Sequence, residues 1–545
     1  MVSLRSALLL PLALLAGANL GAQRLGDPMS KGALRSRLET YTADSMRGRL
    51  TGTVDNVKAT RYIAEEVRKM GLTPAGDSGT FLQRVPLVRT VLDTSRSSLA
   101  VGSRTLRPYD EYLPRNQGPN ARSFDGAPVV FAGVWGNAAS LGGDAVRGKT
   151  VIVAVRPEST TVIKLQAQAR FAQAAAIVIA NFDLIPTSLR GQIAASPLGL
   201  DAPAGATPTL PAYMHISVAT AAEILGVPSL ADATIGREGT PLRGSIAFGK
   251  QNVEAYNVVA VLRGSDATLR SEYVAVGAHS DHVGMTMPQD RDSTRAFNLE
   301  LRTKQLANNG LITQSIYESI TVNMDSIRRL HPTPRMDSVY NGADDDGSGS
   351  MGALEVARAF AAQRVKPKRS LIFVWHTGEE LGLFGSEHFT DHPTVPREQI
   401  VAQLNLDMIG RGKAGDEIDG GPNYLQLIGA RKLSTQLGDL IEKVSIGKKF
   451  NWVFDLQYDA SGHPEQYYCR SDHYNYARYG IPVVFMTTGG HADYHEITDE
   501  VEFIDFDKLS KVSRFVHELA NVIANGAERP VVDKPRPDPR GRCVQ

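Results

Sequence analysis

At 545 residues, with 42% hydrophobic and 21% charged residues, the chain is too long for one hydrophobic core to be the default and too apolar to be largely disordered. Two or three domains are expected. A formal net charge of +1, with no long block of like charge, argues against nucleic acid as a main partner, because binding a phosphate backbone leaves a basic surplus.

Arg5 precedes an apolar run from Ala7 to Ala16, and small residues follow at Ala18 and Ala22. This is the build of a secretory signal peptide over 1–22, too short to span a bilayer. Pro11 and Gly17 interrupt the run, which argues against a buried helix. A secreted or periplasmic protein is expected, with no membrane span once the signal is removed. In a first folded segment, 23–90, the residues Ala59, Tyr62, Ile63, Val67 and Met70 recur at helical spacing, and Gly71 sits where a helix should stop. Between 91 and 250 the pattern changes to short β-like runs, Val129–Phe131, Val151–Val155 and Ala174–Ala180, amid Gly, Pro and Ser, which predicts a separate small α/β or β-rich unit.

From Tyr256 the apolar runs Val258–Leu262, Tyr273–Gly277, Leu371–Trp375, Val401–Leu406 and Ile481–Met486 alternate with helical patterns. Near-continuous runs suit strands covered on both faces, so 251–527 is expected to be an α/β unit with a mostly parallel central sheet flanked by helices. Over Leu306–Leu330 the residues Leu311, Ile312, Ile316, Ile320, Met324 and Ile327 keep a helical period. They predict one amphipathic helix, packed on the body, rimming a cleft or forming a subunit contact. The segment 528–545, rich in Pro, Arg and Asp, is expected to be a loosely ordered tail. Cys469 and Cys543 are the two cysteines; a disulfide between them is open but unsupported, and the fold cannot depend on a disulfide framework.

Ligands of open α/β sheets bind beyond the carboxyl ends of the strands, and there this sequence repeatedly places metal-type side chains. After Tyr273–Gly277 come His279, Asp281 and His282; after Leu371–Trp375 come His376, Glu379 and Glu380; Asp407 follows Val401–Leu406; Asp493 and His495 follow Ile481–Met486. Gly342 to Gly349, with Asp344, Asp345 and Asp346, opens a helical stretch through Ala353, Val356 and Phe360. Each feature alone has an ordinary explanation: a solvated Glu-Glu pair, a turn, a helix cap. Their joint occurrence at successive strand ends does not. Histidine nitrogen with carboxylate oxygen, and no cysteine, suits hydrolytic zinc. Five ligands exceed what one catalytic ion with an open position needs, so two ions sharing a bridging carboxylate are expected. Of Glu379 and Glu380, neighbours that point apart, one can hold metal while the other takes a proton from water. Asp281 is placed to orient the His279 ring.

At these residues the sequence resembles the di-zinc exopeptidase family of bacterial zinc aminopeptidases and glutamate carboxypeptidase II. Its motifs occur in the family's order: Gly277-Ala278-His279-Ser280-Asp281, Gly342-Ala343-Asp344-Asp345 with Ser348-Gly349, Gly378-Glu379-Glu380-Leu381-Gly382, Asn405-Leu406-Asp407-Met408, and Tyr494-His495 with Thr498-Asp499. The resemblance implies two zinc ions per chain. Asp345 would bridge them, His279 and Asp407 would complete one site, and Glu380 and His495 the other. It also implies Glu379 as general base, Asp281 as orienter, and a cis peptide at Asp345–Asp346. The unit 91–250, at Gly148 to Val153 and Ala174 to Asn181, resembles the protease-associated domain inserted in many such enzymes, where His215 reads as structural. A departure lies at 283–341, longer than the link of simple aminopeptidases, which implies extra structure that restricts substrate size or supports a homodimer. Ser471-Asp472-His473 reads as a packing or supporting segment near the cleft.

The expected activity is hydrolysis of a terminal peptide bond, with peptide or protein N-termini as substrate, since a carboxylate-rich cage receives a free amine whereas a carboxypeptidase should show dedicated arginines. Arg470 keeps the glutamate-carboxypeptidase-like alternative open. Cyclisation of N-terminal glutamine with one metal, and a catalytically silent peptide-binding protein, are the others.

Overall fold

The computed structural model describes residues 26–116, 122–135, 139–155, 170–201, 210–308, 310–412 and 420–545; the predicted signal peptide lies outside them. The largest sheet has nine strands, numbered here in chain order: β1 (Thr73–Pro74), β2 (Leu82–Arg84), β3 (Tyr256–Leu262), β4 (Tyr273–His279), β5 (Ser370–His376), β6 (Ile400–Leu406), β7 (Tyr424–Ile428), β8 (Val453–Asp455) and β9 (Val483–Thr487). The spatial order is β1–β3–β5–β4–β6–β9–β7–β8, with β2 also on β3. The central strands β5, β4, β6 and β9 run parallel, while β3 and β7 join from either side antiparallel.

The apolar runs are continuous because side chains alternate between two covered faces. Leu371, Phe373 and Trp375 of β5, with Val274 and Val276 of β4, enter the core shared with helices Lys31–Tyr41, Val54–Lys69, Gly349–Ala362 and Phe506–Asn525. Ile372, Val374 and Ala275 enter the opposite core, closed by Phe389, Tyr474 and Tyr476. The helix Val54–Lys69 starts where Thr53 accepts the Asn56 N–H, and it buries Ala59, Ile63 and Val67 on one stripe.

The intervening unit has its own six-stranded sheet, Val129–Val134, Thr150–Ala154, Ala176–Ala180 and Ala212–Ile216 in parallel, with Glu238–Gly239 and Tyr112–Pro114 antiparallel at the edges. It carries separate cores on the two faces. The chain enters this unit through strand Leu87–Leu92 and leaves through Phe248–Val253, and these two strands pair antiparallel along their whole length.

Two expectations change. The period over Leu306–Leu330 does not form one helix: a helix Arg291–Ala307, called below the insertion helix, ends there, and short helices Gln314–Glu318 and Met324–Leu330 follow. Gly310 adopts a positive φ of 81°, and Thr313 and Asn323 capture the N–H groups of Ile316 and Ser326, so local caps outcompete continuation. Secondly, the tail 528–545 has no helix or strand yet is fastened. Cys543 is disulfide-bonded to Cys469, and the Gln545 side chain accepts from Tyr468 N–H and donates to the carbonyls of Tyr458 and Ala460.

Candidate metal centre

The carboxyl ends of β5, β4, β6 and β9 lie on one edge of the sheet, and the residues that follow them converge. His279, the last residue of β4, has Nε2 3.1 Å from Asp345 Oδ1, 3.6 Å from Asp407 Oδ1 and 4.0 Å from Glu379 Oε2. His495 Nε2 lies 3.0 Å from Asp345 Oδ2 and 2.8 Å from Glu380 Oε2. All five sequence-predicted ligands and Glu379 therefore meet in one place, with the two Asp345 oxygens turned toward different histidines. Asp344 points elsewhere, accepting from Ser348 Oγ and Gly410 N–H and lying 3.2 Å from His491 Nε2.

Two residues come close that the sequence reading gives no role. His282 places Nδ1 2.7 Å from Glu380 Oε1, and its ring meets that of His495 edge-on. Its position three residues after His279 was the available signal. Asp346 also lies within reach of His279 and Asp407. Its carboxylate, however, accepts from the backbone N–H of His279, Gly349 and Met408, so it ties β4, the helix Gly349–Ala362 and the end of β6 together and has little lone-pair capacity left for an ion. The packing there admits only glycine at 349, where a Cβ would lie 2.2 Å from Asp346 Oδ1 and 2.3 Å from the Leu406 carbonyl. The Asp345–Asp346 peptide is cis. Asp499 accepts from the N–H groups of Asp344 and Asp345 and so orients the aspartate turn.

Supporting contacts surround the ligands. The Asp281 carbonyl is 3.2 Å from His279 Nδ1, nearer than its carboxylate at 3.8 Å; the carboxylate instead accepts the Glu379 N–H. Ser471 donates to Asp407 Oδ2 at 2.7 Å and is itself held by Asn405. Arg411 donates to Asp493 at 2.8 Å beside the His495 turn. Burial, reinforced by the Glu380, Asp407 and Asp472 carboxylates against the opposing charge of His279, holds the Glu379 carboxyl well above its ordinary range.

The donor set, imidazole nitrogen and carboxylate oxygen without thiolate, fits zinc. His495 Nε2 is screened from solvent and its polar neighbours are the Asp345 and Glu380 carboxylates, as expected of donors that converge on a cation. Asp345, Glu379 and Asp407 open onto a cavity of about 360 Å³, also lined by Met408, Phe485 and residues of the insertion helix.

Residues 257–520 match the sequence model of peptidase family M28. Just under half of the chain is thus similar to this peptidase family. All the residues gathered at the centre lie within this M28 segment. Leupeptin-inactivating enzyme 1 of Streptomyces exfoliatus is 41% identical over 83 residues, 15% of this chain and 19% of that protein. Leucine aminopeptidase 1 of Paracoccidioides brasiliensis strain Pb03 is 28% identical over 213 residues, 37% of this chain and 51% of that protein. The chain thus spans about half or less of the length of these curated relatives. Among solved structures, a zinc aminopeptidase from Bacillus subtilis aligns at a TM-score of 0.46 and 17% identity, covering 90% of this chain and 94% of the other. Among the described residues, no helix is long and apolar enough to cross a membrane.

Proposed function

We propose that this M28 peptidase is an exported aminopeptidase with two zinc ions, acting on the free N-terminus of peptides or proteins. The observation that carries it is Asp345, one carboxylate with an oxygen near each of two histidines, 3.1 Å from His279 Nε2 and 3.0 Å from His495 Nε2. His279, Asp345 and Asp407 would hold one ion, and Asp345, Glu380 and His495 the other. Bound there, the pair would polarise the scissile carbonyl and acidify an attacking water. Glu379, which lines the cavity without a ligand role, takes the water proton and returns it to the leaving amine as the C–N bond breaks. Asp281 fixes Glu379 through its N–H and, by its carbonyl, the His279 ring.

Preference for an amine end is supported by the engagement of the cavity's arginines. Arg470 pairs with Glu465 at 3.3 Å, and Arg302 donates to the Gly490 carbonyl. Neither stands ready for a terminal carboxylate. Export is supported by the predicted signal peptide and by the Cys469–Cys543 disulfide, a bond of oxidising compartments. The separate sheet and cores within 91–250 support reading that unit as a protease-associated-like insertion. Incubation with N-terminally free and N-blocked peptides, with zinc quantified in the same sample, tests the proposal. Release from free peptides alone, at two zinc per chain, is expected; equal cleavage of both classes rejects an aminopeptidase, full release at one zinc rejects the two-ion centre, and one zinc with cyclisation of N-terminal glutamine in place of release favours a cyclase.

A further inference from the structure

The insertion 283–341 reaches the chemistry through one helix. Asn298, Leu301, Arg302 and Gln305 of the insertion helix lie three or four residues apart, hence on one face, and all four line the cavity that contains Asp345, Glu379 and Asp407. The helix is pinned there by arginines. Arg291 bonds Glu502 at 2.7 Å, Arg295 bonds Asp493 at 3.1 Å and stacks over the Phe503 ring, and Arg302 reaches the Gly490 carbonyl. Every anchor lies in 490–503, the stretch that carries His495. The wall is therefore fixed relative to the ligands.

The chemistry of the cavity walls is mixed in kind but not in availability. Leu301 and Ile312 from the insertion face a cavity whose apolar walls also include Met408, Phe485 and Ala492. The cations are committed: Arg470 to Glu465 and the Tyr467 ring, Arg302 to Gly490 and Gln305. We propose that the insertion helix is the outer wall of the pocket for the substrate's terminal side chain, with Leu301 setting the size of the uncharged, apolar side chain accepted. This rests on the terminal-residue hydrolase reading above. The peptidase body alone would then leave this side of the pocket open, and the insertion would be a specificity device as much as a surface elaboration.

The test compares kcat/KM for alanyl, leucyl, phenylalanyl and glutamyl amides in the wild-type protein and in Leu301→Trp, Leu301→Ala and Ile312→Trp. The quantity read is the ratio between substrates within one preparation, which cancels any loss of folded protein. Leu301→Trp should lower the phenylalanyl-to-alanyl ratio by roughly tenfold or more, and Leu301→Ala should raise it, the range expected for a methylene-scale change in an apolar pocket. Ile312→Trp, at the half-exposed rim, should shift the ratio in the same direction as Leu301→Trp by less. Unchanged ratios in all three variants would overturn the proposal, as would a wild-type preference for the glutamyl amide. A wild type that cleaves only N-blocked peptides overturns the aminopeptidase reading instead; the same ratios, taken over C-terminal alanine, leucine and phenylalanine, then judge the wall on its own.

Discussion

Glu379→Gln keeps the metal ligands and removes the proton acceptor, so turnover should fall by roughly 10²–10⁴ while zinc content stays at the wild-type level; retained turnover would strip Glu379 of its role. Around it, His279, Glu380, Asp407 and His495 announce themselves in the sequence because their residue types fall just beyond strand-like runs, where an α/β sheet binds ligands. The roles of Asp346 and Asp499 do not, since both act on backbone N–H groups that only the folded turn presents. His215, in the six-stranded sheet of the intervening unit, makes a second single-residue prediction. Burial, helped by Arg115, lowers its pKa from 6.5 to about 4, and Asn181 bonds its Nδ1 at 2.7 Å. The folded state holds the ring neutral, so the contribution is full above pH 6.5 and is lost as pH falls from there toward 4, where the folded ring also protonates. Between pH 7.5 and 4.5 the loss should be roughly 2–3 kcal/mol. Urea unfolding of wild type and His215→Gln measures it; identical pH slopes would contradict a neutral buried imidazole.

Among elements, the strands buried on both faces were readable because a short continuous apolar run fits a strand covered on both sides. The short edge strands Thr73–Pro74, Leu82–Arg84 and Val453–Asp455 were not, for they have too few residues to show alternation and pair only because a neighbour offers an open edge. The period over Leu306–Leu330 misled for the converse reason: apolar spacing persisted while caps and Gly310 cut the helix, leaving Leu311 66% and Leu330 78% exposed. The segment around Cys469 carries its own prediction. Cys469 precedes Arg470, which lines the cavity, and Ser471, which holds Asp407. With a sequence separation of 74 between the bonded cysteines, Cys543→Ser should cost on the order of 4 kcal/mol by the chain-entropy estimate. Activity should fall with it, because the Ser471 contact loosens. A variant with lowered Tm but undiminished kcat would confine the bond to stability.

At the scale of the molecule, four carboxylates, Asp345, Glu379, Glu380 and Asp407, are crowded around three histidines, His279, His282 and His495, from distant parts of the chain. Such a cluster repels itself without cations, so folding and metal loading should be linked. Chelation should lower Tm, and zinc added in increments should restore it together with activity; a Tm indifferent to chelation would show that the protein frame alone bears the repulsion. The inserted unit stands in a different relation to the whole. Because Leu92 faces Phe248 across the paired entry and exit strands, the body meets the unit as a hairpin, and a tight turn joining those two positions would close the chain without disturbing any strand of the large sheet. Those same two positions are where a shortened or exchanged version of the unit would be spliced.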